Sequence, residues 1–154
     1  MQQLEKFKES LAEYKRLLDE QTKKLGEELD PVILEVLDSL PDVLALKWYQ
    51  YVPYFNDGDE CRFTVTDLEY LTKRDLLENG YSEEDIENKL IDCIKTIEIE
   101  WNYSGWYGES PEILKVFNKE FRKLPREILE NRFGNDVEVF FTRNGFETRF
   151  YDHD

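Results

Sequence analysis

Leucines recur every seven residues at the start of the chain. Over residues 2–29 these are Leu4, Leu11, Leu18 and Leu25. The spacing predicts one long amphipathic helix with a single apolar stripe. We expect the stripe to pack on the protein's own sheet, because the second heptad position becomes polar after Tyr14 and the flanking lysines lack matching acids across a parallel pair. The alternative is a homodimer formed as a coiled coil through this N-terminal helix.

A second, shorter helix is predicted over residues 30–40. Asp30 is a good N-cap, Pro31 suits the first helical position, and Pro41 ends the helix. The apolar residues of this segment are Val32, Ile33, Val36, Leu37 and Leu40. Their spacing predicts a helix face turned toward the core.

Alternating apolar and polar positions over residues 43–55 and 60–66 predict a β-hairpin. The dipeptide Asp57-Gly58 between them suits a two-residue type I′ turn, which places Gln50 opposite Val65. This register gathers apolar side chains on one face: Leu44, Leu46, Trp48, Val52, Tyr54, Cys61 and Phe63. The opposite face then carries Lys47, Tyr49, Tyr51, Pro53, Arg62, Thr64 and Thr66.

Helical patterns follow the hairpin. Residues 67–81 are ambiguous, and one interpretation is that they extend the strand through a bulge and then form a helical turn that Gly80 ends. Ser82, followed by three acids, is a strong helix start, and the apolar spacing predicts a helix to residue 97. Pro111 and Pro125 open two further helical segments.

The last helical segment ends at Gly134 and gives way to a second hairpin. Asn144-Gly145 is its turn signal and predicts that Arg143 pairs with Phe146. Two hairpins and several helices predict an α+β fold, with an antiparallel sheet of about four strands covered by helices. Residues 1–154 are expected to form a single domain.

Charge narrows the function classes. The chain has a net charge of −15, and residues 31–110 hold 18 acids against six bases. Such a surface repels phosphate backbones, so direct nucleic-acid binding is not expected. It attracts basic surfaces, so we expect a protein partner with a basic surface. No apolar run is long enough for a membrane span and the N-terminus does not resemble a signal peptide, so a cytoplasmic protein is expected.

The sequence offers little metal or redox chemistry. Cys61 and Cys93 have no zinc-ligand spacing and are expected to be buried, reduced thiols. His153 is penultimate, where chains usually fray, and would make a poor general base. Acids around Gly58 do not match an EF-hand loop, since Pro53 would stand at a ligand position. No metal and no cofactor are expected.

Two groups of aromatic residues are candidate binding sites. The first is the aromatic and glycine-rich loop, with Trp101, Tyr103, Trp106 and Tyr107. The second is the outer face of the first hairpin, with Tyr49, Tyr51 and Arg62. Tryptophan and tyrosine are typical of protein hot spots and of base-stacking platforms. The competing interpretation is that these rings fill the core, or that a helix covers the hairpin face.

The run KWYQYVPYFNDGDECRF, residues 47–63, resembles a signature of uncharacterised proteins from bacteria and their phages. The matching residues are Trp48, Gln50, Tyr51, Pro53, Tyr54, Phe55, Asn56, Asp57, Gly58, Asp59, Cys61 and Phe63. Tyr49 stands where that signature has a threonine. The resemblance covers about a tenth of the chain and extends to a similar C-terminal hairpin. It implies a phage or bacterial cytosolic origin, and it carries no activity with it.

These observations favour a small acidic binding protein, encoded by a phage or prophage, that modulates or inhibits a bacterial host protein such as a defence or nucleic-acid-handling factor. The chain lacks nucleophile, phosphate-loop and dinucleotide motifs, so an enzyme is not expected. One alternative is a module that sequesters a nucleotide-like ligand. Trp101, Trp106, Tyr49 or Tyr51 would stack on its base, and Arg62 or Arg149 would pair with its phosphate. A second alternative is a carboxylate-dependent enzyme.

Overall fold

The structure is a computed structural model that describes residues 1–54, 58, 61–105 and 109–153. It is an α+β fold, as predicted. The helices among these residues are α1 Gln2–Asp38, α2 Lys73–Glu78, α3 Glu83–Asn88, α4 Leu90–Thr96, α5 Glu112–Phe121 and α6 Arg126–Phe133. The strands are β1 Val43–Tyr51, β2 Thr64–Val65, β3 Glu69–Thr72, β4 Asn102–Tyr103, β5 Val137–Thr142 and β6 Gly145–Phe150.

The strands form one antiparallel sheet in the order β4-β3-β1-β5-β6, and β2 pairs with the end of β1. The described part of the chain thus has six strands rather than about four. β3 confirms the expected strand extension through a bulge, and α2 is the helical turn expected before Gly80. The prediction missed β4, which is only two residues long. Short strands like β4 form because the sheet edge offers partners, so local sequence does not signal them.

The first hairpin has the predicted register, with Gln50 opposite Val65, but its strands are shorter than predicted and pair only as far as Tyr51 and Thr64. The second hairpin does not have the predicted register: Phe146 pairs with Phe141, and the turn residues are Arg143 and Asn144. The physical reason is the Arg143 side chain, whose guanidinium donates hydrogen bonds to the carbonyl oxygens of Leu37, Leu40 and Val43. Holding Arg143 in the turn shifts the pairing by two residues, which keeps each side chain on its predicted face.

Helices cover both faces of the sheet. On one face, Trp48 lies at the centre of the larger core, with the rings of Phe121 and Phe133 edge-on at 4.9 and 5.0 Å. Here the end of α1 packs with α5 and α6. On the other face, Leu71 and Phe140 pack with Ile94 and Trp101 in a second, smaller core.

Two predicted helix boundaries are wrong. α1 runs through Pro31 as one helix, where two helices were expected. An interior proline costs about 3 kcal/mol, but full burial of a side chain such as Ile33 or Leu37 returns about 1.5–3 kcal/mol each. Conversely, the single helix expected over residues 82–97 breaks at Lys89 into α3 and α4. No local sequence signal marks that break.

Candidate binding surfaces

The N-terminal part of α1, residues 2–28, is almost entirely exposed, and we call it the free helix. Its side chains are exposed apart from half-buried Thr22 and Gly26. Large apolar residues on it keep between 41% and 64% of their surface: Leu4, Phe7, Leu11, Tyr14, Leu17, Leu18 and Leu25. Only the last turns of α1, from Leu29 onward, are buried. The expectation that the stripe packs on the protein's own sheet is therefore wrong for residues 2–28.

The charges on the free helix are sorted by face. Lys8 and Lys15 each lie four residues after a stripe leucine, so they border the stripe directly. The other border carries the neutral side chains of Gln3, Ser10 and Gln21 and, one heptad after Gln21, the acid Glu28. Most of the helix's acids lie on the opposite face, where Arg16 forms salt bridges to Glu13 and Glu20. Apart from Glu28 at its C-terminal end, the apolar stripe of this acidic protein is thus bordered by positive or neutral residues.

A second feature is a β-bulge between β2 and β3. Gln50 pairs with Val65 and Lys47 with Glu69, so the second segment contains one residue more than a regular strand would. The bulge carries Asp67 and Leu68, and the backbone of Leu68 finds partners elsewhere: its N–H donates to Asn118 Oδ1 at 2.8 Å. The N–H of Ser104 donates to the Leu68 carbonyl at 3.1 Å. The bulge is thereby fixed to α5 and to the end of β4.

Three donors surround the Asp67 carboxylate. The hydroxyl of Tyr103 and the Nδ2 of Asn118 donate to it, the latter at 3.0 Å. Arg122 Nη1 donates at 2.8 Å. Burial alone would raise the pKa of Asp67, but these hydrogen bonds outweigh burial and hold the pKa below its ordinary value. Asp67 is therefore an ionised anchor for its neighbours rather than a free base.

The bulge, β4 and α5 enclose an open cleft of about 690 Å³, which we call the bulge cleft. Lys115, Lys119 and Arg122 bring three positive charges to its wall, against Asp67 and Glu112. Val116 supplies an apolar part, and Ser104, Gly105 and Asn118 complete the lining. This is a positively charged recess in a chain of net charge −15.

The outer face of the first hairpin holds a cluster of rings from the hairpin itself and from the C-terminal residues 151–153. Tyr49 lies 4.5 Å from Tyr151 between ring centroids, and Tyr51 lies 4.6 Å from His153. His153 stacks on Tyr54 at 4.0 Å, and its Nε2 is 2.7 Å from Asp136 Oδ1. The expectation that His153 frays is wrong: it is 5% exposed, because the rings and the Asp136 carboxylate hold it.

Next to this ring cluster, buried charges pair on the same sheet face. Lys47 Nζ lies 3.5 Å from Glu138 Oε2, and Arg149 also binds Glu138. Lys47 sits between two aromatic rings, 4.6 Å from Trp101 and 5.5 Å from Tyr49. Burial raises the pKa of the Tyr49 hydroxyl far above its usual value, and the Glu138 charge adds to the effect. These groups satisfy one another, which is the usual condition for buried charge.

The structure separates the predicted site residues. Trp101 is 7% exposed in the second core, and Tyr49 lies across Lys47 from it. Tyr103 is half-exposed beside the bulge cleft, and Arg62 is exposed on the hairpin. Trp106 and Tyr107 lie outside the described residues. The aromatic loop and the hairpin face therefore do not form one continuous site among the residues described.

Sequence reasoning missed the bulge cleft. Asp67 and Asn118 are 51 positions apart. Lys115, Lys119 and Arg122 appear in the sequence as an ordinary charged helix face. The one available signal was their spacing at i, i+4 and i+7, which places them on one side of α5. What lies opposite that side is set by tertiary structure alone.

The described ranges offer no metal site and no membrane span. They contain no group of three or more His, Cys, Asp or Glu residues arranged to hold a metal ion. The acidic turn around Gly58 is mostly outside the described residues. No described helix combines the length and apolar character of a membrane span. Cys61 is half-buried and Cys93 buried, both as free thiols.

No protein-family model, curated protein or solved structure matches this chain. Its function must therefore be inferred from its own residues.

Proposed function

We propose that the chain is a non-enzymatic protein-binding module, and that its free helix docks a helical segment of another protein. The observation that carries this proposal is the exposed stripe over residues 2–28. A helix that exposes a continuous apolar face normally buries it against something. The chain's own body covers only the part from Leu29 onward.

The free helix is large enough to serve as a specific interface. Its residues extend about 40 Å at 1.5 Å per residue. A partner helix packed along this length must bury about 1,000 Å² in total to reach the lower limit for a specific interface. The exposed Phe7 and Tyr14 supply aromatic anchors among the leucines.

A second copy in parallel does not fit the stripe well. Val36 lies at the same angle around α1 as Leu18, because 18 residues complete about five turns. Val36 is buried against the body, so the body occupies the same side of α1 that the stripe occupies further up. Two parallel copies would bring both bodies into the same space.

An antiparallel copy avoids that collision but brings lysines together. Pairing the full stripe with itself in opposite directions places Lys15 of one helix near Lys15 of the other. Such like-charge contacts cost a few tenths of a kcal/mol each, whereas an acid in the same place gains about as much. We therefore assign the stripe to a partner helix that bears leucine-like residues and acidic flanks.

This partner differs from the one that overall charge suggests. The net charge of −15 attracts a basic surface at long range, whereas the lysines beside the stripe favour acids in direct contact. The resemblance of residues 47–63 to bacterial and phage proteins supports a bacterial host protein as the source of the partner, with inhibition or modulation as the outcome. The competing function, a nucleotide-like ligand site, is supported by one observation, the positive charge of the bulge cleft.

Two synthetic helices provide the test. Both are 28-residue peptides with leucine at the a and d heptad positions; one has glutamate and the other lysine at e and g. Binding is measured by fluorescence anisotropy with the wild type and with the stripe variant Leu11→Ser/Leu18→Ser. The matched control is Glu9→Ser/Arg16→Ser, which makes two serine substitutions on the opposite face and, like the stripe variant, leaves the net charge unchanged.

We expect the glutamate peptide to bind about tenfold more tightly than the lysine peptide, since a few charge pairs together contribute about 1.4 kcal/mol. The stripe variant should lose this binding and the control should keep it. The proposal would be overturned if the glutamate and lysine peptides bound with the same affinity and the stripe variant bound them as well as the control. Sedimentation velocity tests the remaining alternative. If the wild type and the control are dimers and the stripe variant is a monomer, the stripe binds a second copy of the chain instead.

A further inference from the structure

We propose that the bulge cleft is a binding site for a small phosphorylated molecule, held by Lys115, Lys119 and Arg122. This site is separate from the free helix and does not depend on its docking function. Its volume of about 690 Å³ is in the range typical of small-molecule sites. Its three cations line one side of α5.

The two lysines are available for a ligand. Among the described residues, no carboxylate oxygen lies within 4 Å of either Nζ, whereas Lys123, just past the end of α5, pairs with Glu120 at 3.1 Å. Lys115 is half-buried and forms part of the cleft wall, whereas Lys119 is exposed at the rim. Two neighbouring ammonium groups without a partner favour an incoming anion.

The third cation is held in place. Asp67 binds Arg122 through Nη1, and Asn118 and Tyr103 fix Asp67 in turn. Arg122 keeps its Nε and Nη2 donors without a hydrogen-bond partner in the described part of the chain. A guanidinium that is already oriented loses little entropy when it binds a second anion, and its planar donors match phosphate oxygens.

The surroundings select the size and type of anion. Glu112 and the chain's overall charge of −15 disfavour a nucleic-acid backbone, whose many phosphates would face acids outside the cleft. A single phosphate group meets three cations in the cleft wall against two carboxylates, one of which, Asp67, is already bound by Arg122. The exposed side chain of Val116 adds an apolar contact, which suits a phosphate carried on an organic group.

The test is a titration followed by amide chemical shifts, with inorganic phosphate, adenosine monophosphate and adenosine as probes at constant ionic strength. The variant Lys115→Gln/Lys119→Gln removes two cleft charges. The control Lys23→Gln/Lys24→Gln removes the same charge from the free helix. Circular dichroism checks that both variants are folded.

We expect saturable shifts at Asp67, Ser104 and residues 115–122 with both phosphate probes and none with adenosine. The cleft variant should weaken binding at least tenfold, and the control should leave it unchanged. If adenosine monophosphate binds more tightly than inorganic phosphate, the ligand of the bulge cleft is an organic phosphate. If the two bind equally, the ligand is free phosphate. Absence of saturation up to about 10 mM, which corresponds to roughly 3 kcal/mol of binding energy, or binding insensitive to the cleft variant, would overturn the proposal.

Because Leu11→Ser/Leu18→Ser lies far from the cleft in sequence and on the free helix, it should not change these titrations. Failure of the phosphate experiment therefore leaves the docking proposal intact, and failure of the peptide experiment leaves the cleft proposal intact.

Discussion

The two parts of α1 have the same pattern and opposite surroundings. From Leu29 onward the apolar face is buried, with Ile33 and Leu37 fully enclosed by the body. Over residues 2–28 an equally regular face is open, with Leu18 48% exposed. Heptad spacing reports that a helix has an apolar side to bury. It does not report which surface will cover that side.

The largest expected effect comes from the enclosed part. Leu37→Ala should destabilise the protein by about 2–5 kcal/mol, because it removes a fully buried side chain and leaves a cavity. Urea unfolding followed by circular dichroism measures this loss. A loss below about 1 kcal/mol would show that the end of α1 is not part of the core.

Asn118→Ala tests the hydrogen bonds that hold the β-bulge, and its expected effect on stability is the next largest. The substitution removes the acceptor of the Leu68 N–H and one donor to Asp67, so it should cost about 1–3 kcal/mol. Lys119→Ala is the matched control on the same helix and should change stability by no more than about 0.5 kcal/mol. Equal urea midpoints for the two variants would mean that Asn118 does not fix the bulge.

The pH dependence of stability tests Asp67 itself. Its pKa is lower in the folded protein, so its contribution is fully present above the unfolded value near 3.9 and is lost as the pH falls through the lower folded value. Asp67→Asn should therefore be less stable than the wild type at pH 7, by about 1 kcal/mol for a partly exposed group, and the gap should narrow at pH 3. Urea titrations at both pH values measure it. A gap that is constant or widens in acid would contradict the account.

The smallest effect is expected on the free helix. Leu18→Ala should change the free energy of unfolding by no more than about 0.5 kcal/mol, because the side chain has no packing to lose and alanine favours the helix. The same urea series measures Leu37→Ala on the same helix, so the two losses of unfolding free energy directly compare the exposed and the buried part of α1. A cost near that of Leu37→Ala would show that the stripe is covered in the protein alone.

Local chemistry made parts of the fold predictable. Asp57-Gly58 predicted the pairing of Gln50 with Val65, and Ser82 and Gly134 predicted a helix start and a helix end; the structure confirms all three predictions. These signals act through neighbouring backbone groups, so they need no knowledge of the tertiary structure. Arg143 shows the limit, because its partners are carbonyl groups about 100 positions earlier in the chain.

The candidate sites were harder to predict for the same reason. The stripe was visible in the sequence, but its exposure was not, since exposure depends on where the body ends. The bulge cleft joins Asp67, Asn118 and Arg122 across more than 50 positions. His153 was expected to fray, yet Asp136 and three tyrosine rings hold it, and none of these partners is marked by a local motif.

Hydrogen exchange of the backbone amides of α1, with and without the glutamate-flanked peptide, tests the central claim most directly. Without peptide, residues 2–28 should exchange much faster than residues 33–38, because a helix without tertiary packing opens readily. With peptide, exchange in residues 2–28 should slow markedly while residues 33–38 stay unchanged, and Leu11→Ser/Leu18→Ser should abolish the slowing. Strong protection of residues 2–28 in the protein alone at low concentration, or no response to the peptide, would contradict the account.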